Sequence, residues 1–511
     1  MTPDHSRQLE LDGKDISLED VGRVAERKLS TKVSTDGAFL ERLAESRRVL
    51  EEALARGEVV YGVATGFGDS CETSTRDALD HDLARNLFRY HHAGVGELLP
   101  RAETRAVLFA RAVSLARGYS AVRTELLERL CALLNEDMLP AIPSLGSVGA
   151  SGDLTPLAYV AAALSGEGEL YSQRGPLPAE TFWARLGPGR LLLTPRESLA
   201  VMNGTSVMAA LAALAVLRAE RLVRLASALT AFAWEALEGA PGAFTEVITE
   251  AKPHVGSKRV AEWIRADLEG TRVQRPADAR IQDRYSIRCA PQVLGASLDV
   301  ATDARRYVEI ELNSASDNPI IDPVTKTIAH GGNFYGGHIC HAMDSVKVQL
   351  ANVADLLDRQ LLLLCNPMTS RKLPANLSGA EGPGASAHHG FKALQITTSA
   401  LAAEAAKQSI PMSIFSRSTE NHNQDKVSMG TIAARDALRI LDLTENLALI
   451  HALALAQAAD LRGPERFSAS AERIRSEIRA ISPKLVHDRP LDQDIAALLA
   501  SYRKRELFSH L

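Results

Sequence analysis

Along much of this chain apolar residues recur three and four positions apart, the spacing of helices that bury one face. Ser17-x-x-Asp20 is a capping-box-like start that predicts a helix to about Arg27. Leu40, Leu43, Leu50 and Leu54 form one stripe of a helix over 39–56, stopped by Gly57. Further Ala- and Leu-rich periodic runs predict helices over 102–118, 121–135, 198–236, 296–313, 337–365, 390–408 and 430–458. Strand-like patterns are confined to short pieces at 59–61, 191–193 and 320–321, too few for repeated βαβ units. The expected architecture is mainly α, with several helices long enough for a bundle.

Gly, Pro, Ser and Asn collect between these helices at 62–70, 140–156, 187–195, 280–295, 313–337 and 374–390. Loops of this length in a compact fold usually carry function, so chemistry is sought there. Near Leu199 mixed short elements give way to long helices, which divides the chain into a smaller N-terminal domain, 1–198, and a long-helix bundle and oligomerisation domain, 199–511. No internal repeat or low-complexity linker is visible.

Composition narrows the function. A chain of 511 residues with 46% hydrophobic content can fill a large core, which excludes disordered and fibrous classes. A net charge of -5 offers no basic surplus for nucleic acid or anionic lipid, and neither partner is expected. The first thirty residues carry no apolar signal segment, and the most apolar long stretch, 199–217, includes Asn203, Gly204, Thr205 and Ser206, which suits a buried helix. Five scattered cysteines without C-x-x-C argue against a disulfide framework or a thiolate zinc site, so a reducing cytoplasm is the expected location. No P-loop, H-E-x-x-H or G-x-S-x-G occurs. The adjacent pairs His91-His92 and His388-His389 would point about 100° apart on a helix, so no metal is expected.

Residues 141–156, AIPSLGSVGASGDLTP, are a run of small residues enclosed by prolines. By composition this is a tight connection between helices, with Asp153 or Thr155 capping the next one. Its detail suggests more. In Ala150-Ser151-Gly152 nothing stands behind the nitrogen of Gly152, so the backbone can fold back until that amide attacks the Ala150 carbonyl. Loss of water from the ring and from Ser151 would leave a conjugated methylidene-imidazolone, an electrophile no ordinary side chain supplies.

This tripeptide within GSVGASGDLTPLAY resembles the self-cyclising motif of the aromatic amino acid ammonia-lyase and 2,3-aminomutase family. Other segments match in order: YGVATGFG at Tyr61, MNGT at Met202, QDRYSIRCAPQ at Gln282, NSASDNP at Asn313, HGGNFYGG at His330 and HNQDKVSMG at His422. The resemblance implies a mainly helical homotetramer whose active sites each take residues from three chains. It also implies a 4-methylideneimidazol-5-one (MIO) group formed autocatalytically from Ala150, Ser151 and Gly152, with no external cofactor, and a small aromatic amino acid as substrate.

By the same resemblance Tyr61 is the general base, Asn203 holds the ring oxygen and Tyr285 stands near the electrophile, while His91, Gln282, Arg288, Phe334 and Gln424 bind substrate. Arg288 also suits a carboxylate by its planar two-donor fork. A free phenol is mostly protonated at neutral pH, so the site is expected to lower the pKa of Tyr61. Tyr90 and His91 fall where the family varies with substrate, and Gln424 stands where histidine ammonia-lyases carry Glu. HGGNFYGG and FSRSTENHNQDKVSMG look most like the tyrosine 2,3-aminomutase group. The expected reaction is therefore L-tyrosine to β-tyrosine with 4-coumarate-forming lyase activity. The alternatives are a tyrosine or phenylalanine ammonia-lyase, a histidine ammonia-lyase, or an inactive scaffold of the same fold.

Overall fold

The computed structural model describes residues 8–75, 80–187, 189–277 and 279–511. They form two compact units, each assembled from separate stretches of chain: 1–217 with 304–344 and 411–435, and 218–303 with 345–410 and 436–511.

The first unit is built on short helices. Ser17 caps Leu18–Ala25 through a reciprocal pair with Asp20, as the sequence signature requires. Asp36 caps Gly37–Ala55, whose Leu43, Val49 and Leu50 turn inward. At the centre lies Arg101–Ala116, buried continuously from Thr104 onward. Thr124–Asn135 packs beside it, starting three residues later than expected because Ala121 takes a left-handed conformation. Asp80–His91, Leu154–Leu164 and Pro195–Met202 complete the frame around the loops. Strands are short, as anticipated: Gln8–Leu11 pairs in parallel with Ser30–Val33, Val95–Leu98 runs antiparallel to Pro143–Leu145, and Ile320–Asp322 forms a hairpin with Thr327–Ala329. Residues 59–61 and 191–193, expected as extended strands, join no strand ladder among the described residues and form turn and loop instead.

The run expected as one helix over 198–236 is broken. Pro195–Met202 ends at Asn203, whose ψ of 120° leaves the helix, and Gly204 follows at φ 140° before Ser206–Ala236 begins. The apolar periodicity passes straight through this break, so it is a local backbone event written in Asn203-Gly204 and not in the pattern.

The second unit holds most of the length of the long helices Ser206–Ala236, Ala290–Leu312, Gly337–Cys365 and Gly430–Arg462, with Val255–Asp267, Lys392–Gln408, Ala469–Ile481 and Asp492–Arg503 around them. Its core is aliphatic: Gly337–Cys365 contributes Val353, Leu357, Leu361 and Leu364, and Gly430–Arg462 contributes Leu447, Ile450, Leu453 and Leu455, all essentially without exposure. Among the described residues no helix is long and apolar enough to cross a membrane, and no group of three or more His, Cys, Asp or Glu is placed to hold a metal ion.

Candidate active site

The connection 141–156 leaves its strand at Leu145 and turns through a series of left-handed residues: Gly149 at φ 74°, Ser151 at 52° and Gly152 at 77°. For Ser151 that conformation costs on the order of 1 kcal/mol, so the surroundings must impose it. They do so by pairing with the break at 203–204. Gly204 N donates to Ser151 O at 3.3 Å, and Asp153 N donates to Gly204 O at 2.8 Å. A Cβ on Gly152 would lie 2.1 Å from the oxygen of Gly204, so no side chain fits there.

Asp153 precedes Leu154–Leu164 but does not cap it with its side chain. The carboxylate is buried and accepts from Ser147 Oγ at 2.9 Å, from Met208 N at 2.9 Å and from Thr431 Oγ1, tying the tripeptide loop to the Ser206–Ala236 and Gly430–Arg462 helices. Burial holds its pKa above the ordinary aspartate value.

Above the tripeptide opens a cavity of about 690 Å³, lined by Tyr61, His91, Ala150, Ser151, Gly152, Asn203, Phe334 and Gln424 among others. Eight of the eleven residues singled out from sequence therefore meet in one place. Asn203 Nδ2 donates to Ser151 O at 2.7 Å, while its Oδ1 accepts from Asn318 N at 2.7 Å, which fixes the orientation of the amide. Ser151 O thus receives two donors, and this donor set suits a carbonyl oxygen onto which electrons are drawn, as in a ring closed from the tripeptide. Gln424 Nε2 donates to Ser151 Oγ at 3.2 Å and its Oε1 accepts from Thr419 Oγ1 at 2.8 Å.

Tyr61 is half-buried at the start of a loop folded back on itself, where Gly66 N donates to Thr73 O and Thr75 N to Ala64 O. Its hydroxyl accepts from Gly68 N at 2.8 Å. Burial raises its pKa above the usual tyrosine value, the Gly68 amide lowers it, and Glu420 and Cys71 raise it further. The expectation that the site lowers this pKa is not met within the single chain: one donated hydrogen bond is outweighed by desolvation. Burial likewise holds Tyr90 well above, and His91 below, their ordinary values. His91 is therefore neutral at physiological pH. Its Nδ1 lies 2.9 Å from the carbonyl oxygen of Leu87, which can only accept, so Nδ1 bears the proton and Nε2 is left as an acceptor.

Gln282, Tyr285 and Arg288 belong to the other unit and are not among the lining residues. Tyr285–Arg288 is a single helical turn, anchored where Gln360 Nε2 donates to Ser286 O at 2.9 Å. Tyr285 is 71% exposed, and the Arg288 guanidinium lies 4.6 Å above its ring. Two site residues escaped the sequence reading although both lie in quoted segments. Asn318 orients Asn203 by a backbone hydrogen bond that no residue type signals. Glu420 lines the cavity and accepts from Asp69 N at 2.9 Å, while Asn421 Nδ2 donates to Asp69 Oδ2 at 3.1 Å, so together they pin the tip of the Tyr61 loop.

Comparison with known proteins identifies the family. Residues 16–480 match the family described as aromatic amino acid lyase. The histidine ammonia-lyase of Koribacter versatilis (strain Ellin345) is 37% identical over 98% of this chain and 99% of its own length. The tyrosine aminomutase from Streptomyces globisporus superposes with a TM-score of 0.91 at 35% identity, covering 98% of this chain and 97% of that one. The histidine ammonia-lyase from Trypanosoma cruzi superposes with a TM-score of 0.88 at 31% identity, covering 98% and 94%.

Proposed function

This chain belongs to the aromatic amino acid lyase family, and from that premise we propose that it removes ammonia from L-tyrosine and returns it to the β-carbon, releasing some 4-coumarate on the way. It is a carbon–nitrogen lyase of that family; the tyrosine substrate and the mutase outcome are our reading. The MIO group formed from Ala150, Ser151 and Gly152 would supply the electrophile that takes up the substrate's amino nitrogen and turns it into a leaving group. Asn203 Nδ2 and Gly204 N hold the oxygen of Ser151, where negative charge gathers as the amine is drawn away. Tyr61, across the same cavity, takes the β-proton.

The observation that carries the substrate choice is the His91 tautomer. With Nδ1–H spent on Leu87 O, the acceptor Nε2 of this cavity-lining residue complements a phenol O–H, which phenylalanine lacks. Gln424 brings no charge to the cavity floor. The mutase outcome is supported by the tethering of the Tyr61 loop to Glu420 and Asn421, which slows escape of the acrylate and of ammonia. Arg288, Tyr285 and Gln282 enter this reading from other copies of the chain in a homotetramer, with Arg288 on the substrate carboxylate, and with segment 199–511 providing the assembly.

A second reading, histidine ammonia-lyase, is favoured by the names of the curated relatives and by the Glu420 carboxylate, which lines the cavity and could accept from an imidazole. Incubation with L-tyrosine, L-phenylalanine and L-histidine, followed by chromatography, separates them. We expect β-tyrosine and 4-coumarate from L-tyrosine as the fastest reaction; urocanate as the main product would replace this reading with the second.

A further inference from the structure

The side chain of Arg111 is completely buried in the Arg101–Ala116 helix, yet among the described residues it has no carboxylate within ion-pair distance. Its Nη1 donates to the backbone oxygen of Asn203 at 2.9 Å, its Nη2 donates to Ser114 Oγ at 2.9 Å, and its Nε has no partner. Two carboxylates act on it from further away, and both are engaged elsewhere: Asp317 with Arg196 and Ser120, Asp153 with Ser147, Thr431 and Met208. Burial lowers its pKa only to about 10, so it remains a cation at neutral pH. Burying a guanidinium without a carboxylate paired to it disfavours folding.

The compensation lies in what it touches. The Asn203 carbonyl and the Gly204 N–H are the two ends of one peptide group. Arg111 donates to the first end, and the second end donates to Ser151 O at 3.3 Å, beside the 2.7 Å bond from Asn203 Nδ2. A hydrogen bond donated to a peptide oxygen draws electrons from the nitrogen and strengthens its N–H as a donor. The packing leaves no slack, for a Cβ on Gly204 would fall 2.3 Å from Arg111 Nη1.

We propose that Arg111 is a positioning residue for the reaction: through the Asn203–Gly204 peptide, and by its charge, it stabilises negative charge arriving at the oxygen of Ser151. This rests on the reading of the tripeptide as the electrophile. The group lies behind the cavity wall and touches no substrate; it completes a two-donor anion site whose field is set from beneath.

The test compares the intact protein with Arg111→Gln, which removes the charge, and Arg111→Lys, which keeps it. Intact mass and near-ultraviolet absorbance report whether the ring forms, and the rate at which borohydride bleaches that absorbance reports its electrophilicity without turnover. For Arg111→Gln we expect a mass still lower by two waters and a melting temperature equal to or above that of the unaltered protein. We expect kcat and the borohydride rate both to fall about 10- to 100-fold, with KM changed less than about threefold, and Arg111→Lys to recover part of both. Unchanged kcat and borohydride rate in a ring-bearing Arg111→Gln protein would overturn the inference. So would loss of folding or of ring formation in both variants, since either makes the residue structural. An unmodified mass in the unaltered protein would instead bring down the reading beneath it.

Discussion

Tyr61 carries the clearest consequence of residue-scale electrostatics. It can accept a proton only as phenolate, and burial with Glu420 and Cys71 nearby raises its pKa, so the competent fraction grows as pH rises. The expected profile is a kcat/KM that climbs from neutral into alkaline pH. Tyr61→Phe should lower kcat by about 10²- to 10⁴-fold and abolish the climb. Glu420→Gln removes a charge that opposes the phenolate and should move the profile toward lower pH; a kcat/KM that is flat from neutral to alkaline pH contradicts the role. Tyr61 was singled out through the resemblance carried by YGVATGFG, and the structure places it among the residues lining the cavity. The influence of Glu420 was not. It arises from a contact between residues 351 positions apart, Asp69 and Glu420, and no spacing in the chain encodes that.

At the scale of elements, helices were legible where an apolar stripe was long and uninterrupted, as in Gly337–Cys365, whose bounds coincide with the expectation. They were passed over where charge dominates, as in Ala469–Ile481 and Asp492–Arg503, which bury few residues each. One junction between elements makes stability depend on pH. Glu235, near the end of Ser206–Ala236, accepts from Ser468 N at 2.7 Å and from Ser468 Oγ at 3.0 Å, where Ser468 is itself the cap of Ala469–Ile481. Burial pushes the pKa of this carboxyl from its ordinary 4.5 up to about 7, against the lowering effect of these bonds and of Thr271. The folded state thus holds a proton that the unfolded chain gives up earlier. Its stabilisation is complete below pH 4.5 and is lost as pH rises to about 7, a window given by the two pKa values. Glu235→Gln should therefore unfold at a higher temperature than the parent at pH 8 and show little advantage at pH 5, measured by calorimetry. An equal shift at both pH values would show that the carboxyl does not titrate there.

For the whole molecule, periodicity reached the helical class and the motifs quoted in order reached the family resemblance, both of which the fold and the comparisons bear out. They did not reach the way the chain is threaded, because each compact unit gathers three separate stretches and only the folded backbone shows which belong together. The same threading puts Tyr61, Ser151 and Asn203 around one cavity, and Arg288 belongs to the other unit. All of this chemistry depends on a covalent change within Ala150-Ser151-Gly152. The most direct measurement is mass spectrometry of the purified protein and of the proteolytic peptide spanning residues 141–156, beside Ser151→Ala. The expected result is a peptide lighter than its encoded mass by two waters, absent in Ser151→Ala together with all turnover. A peptide at its encoded mass in soluble, folded protein would contradict it.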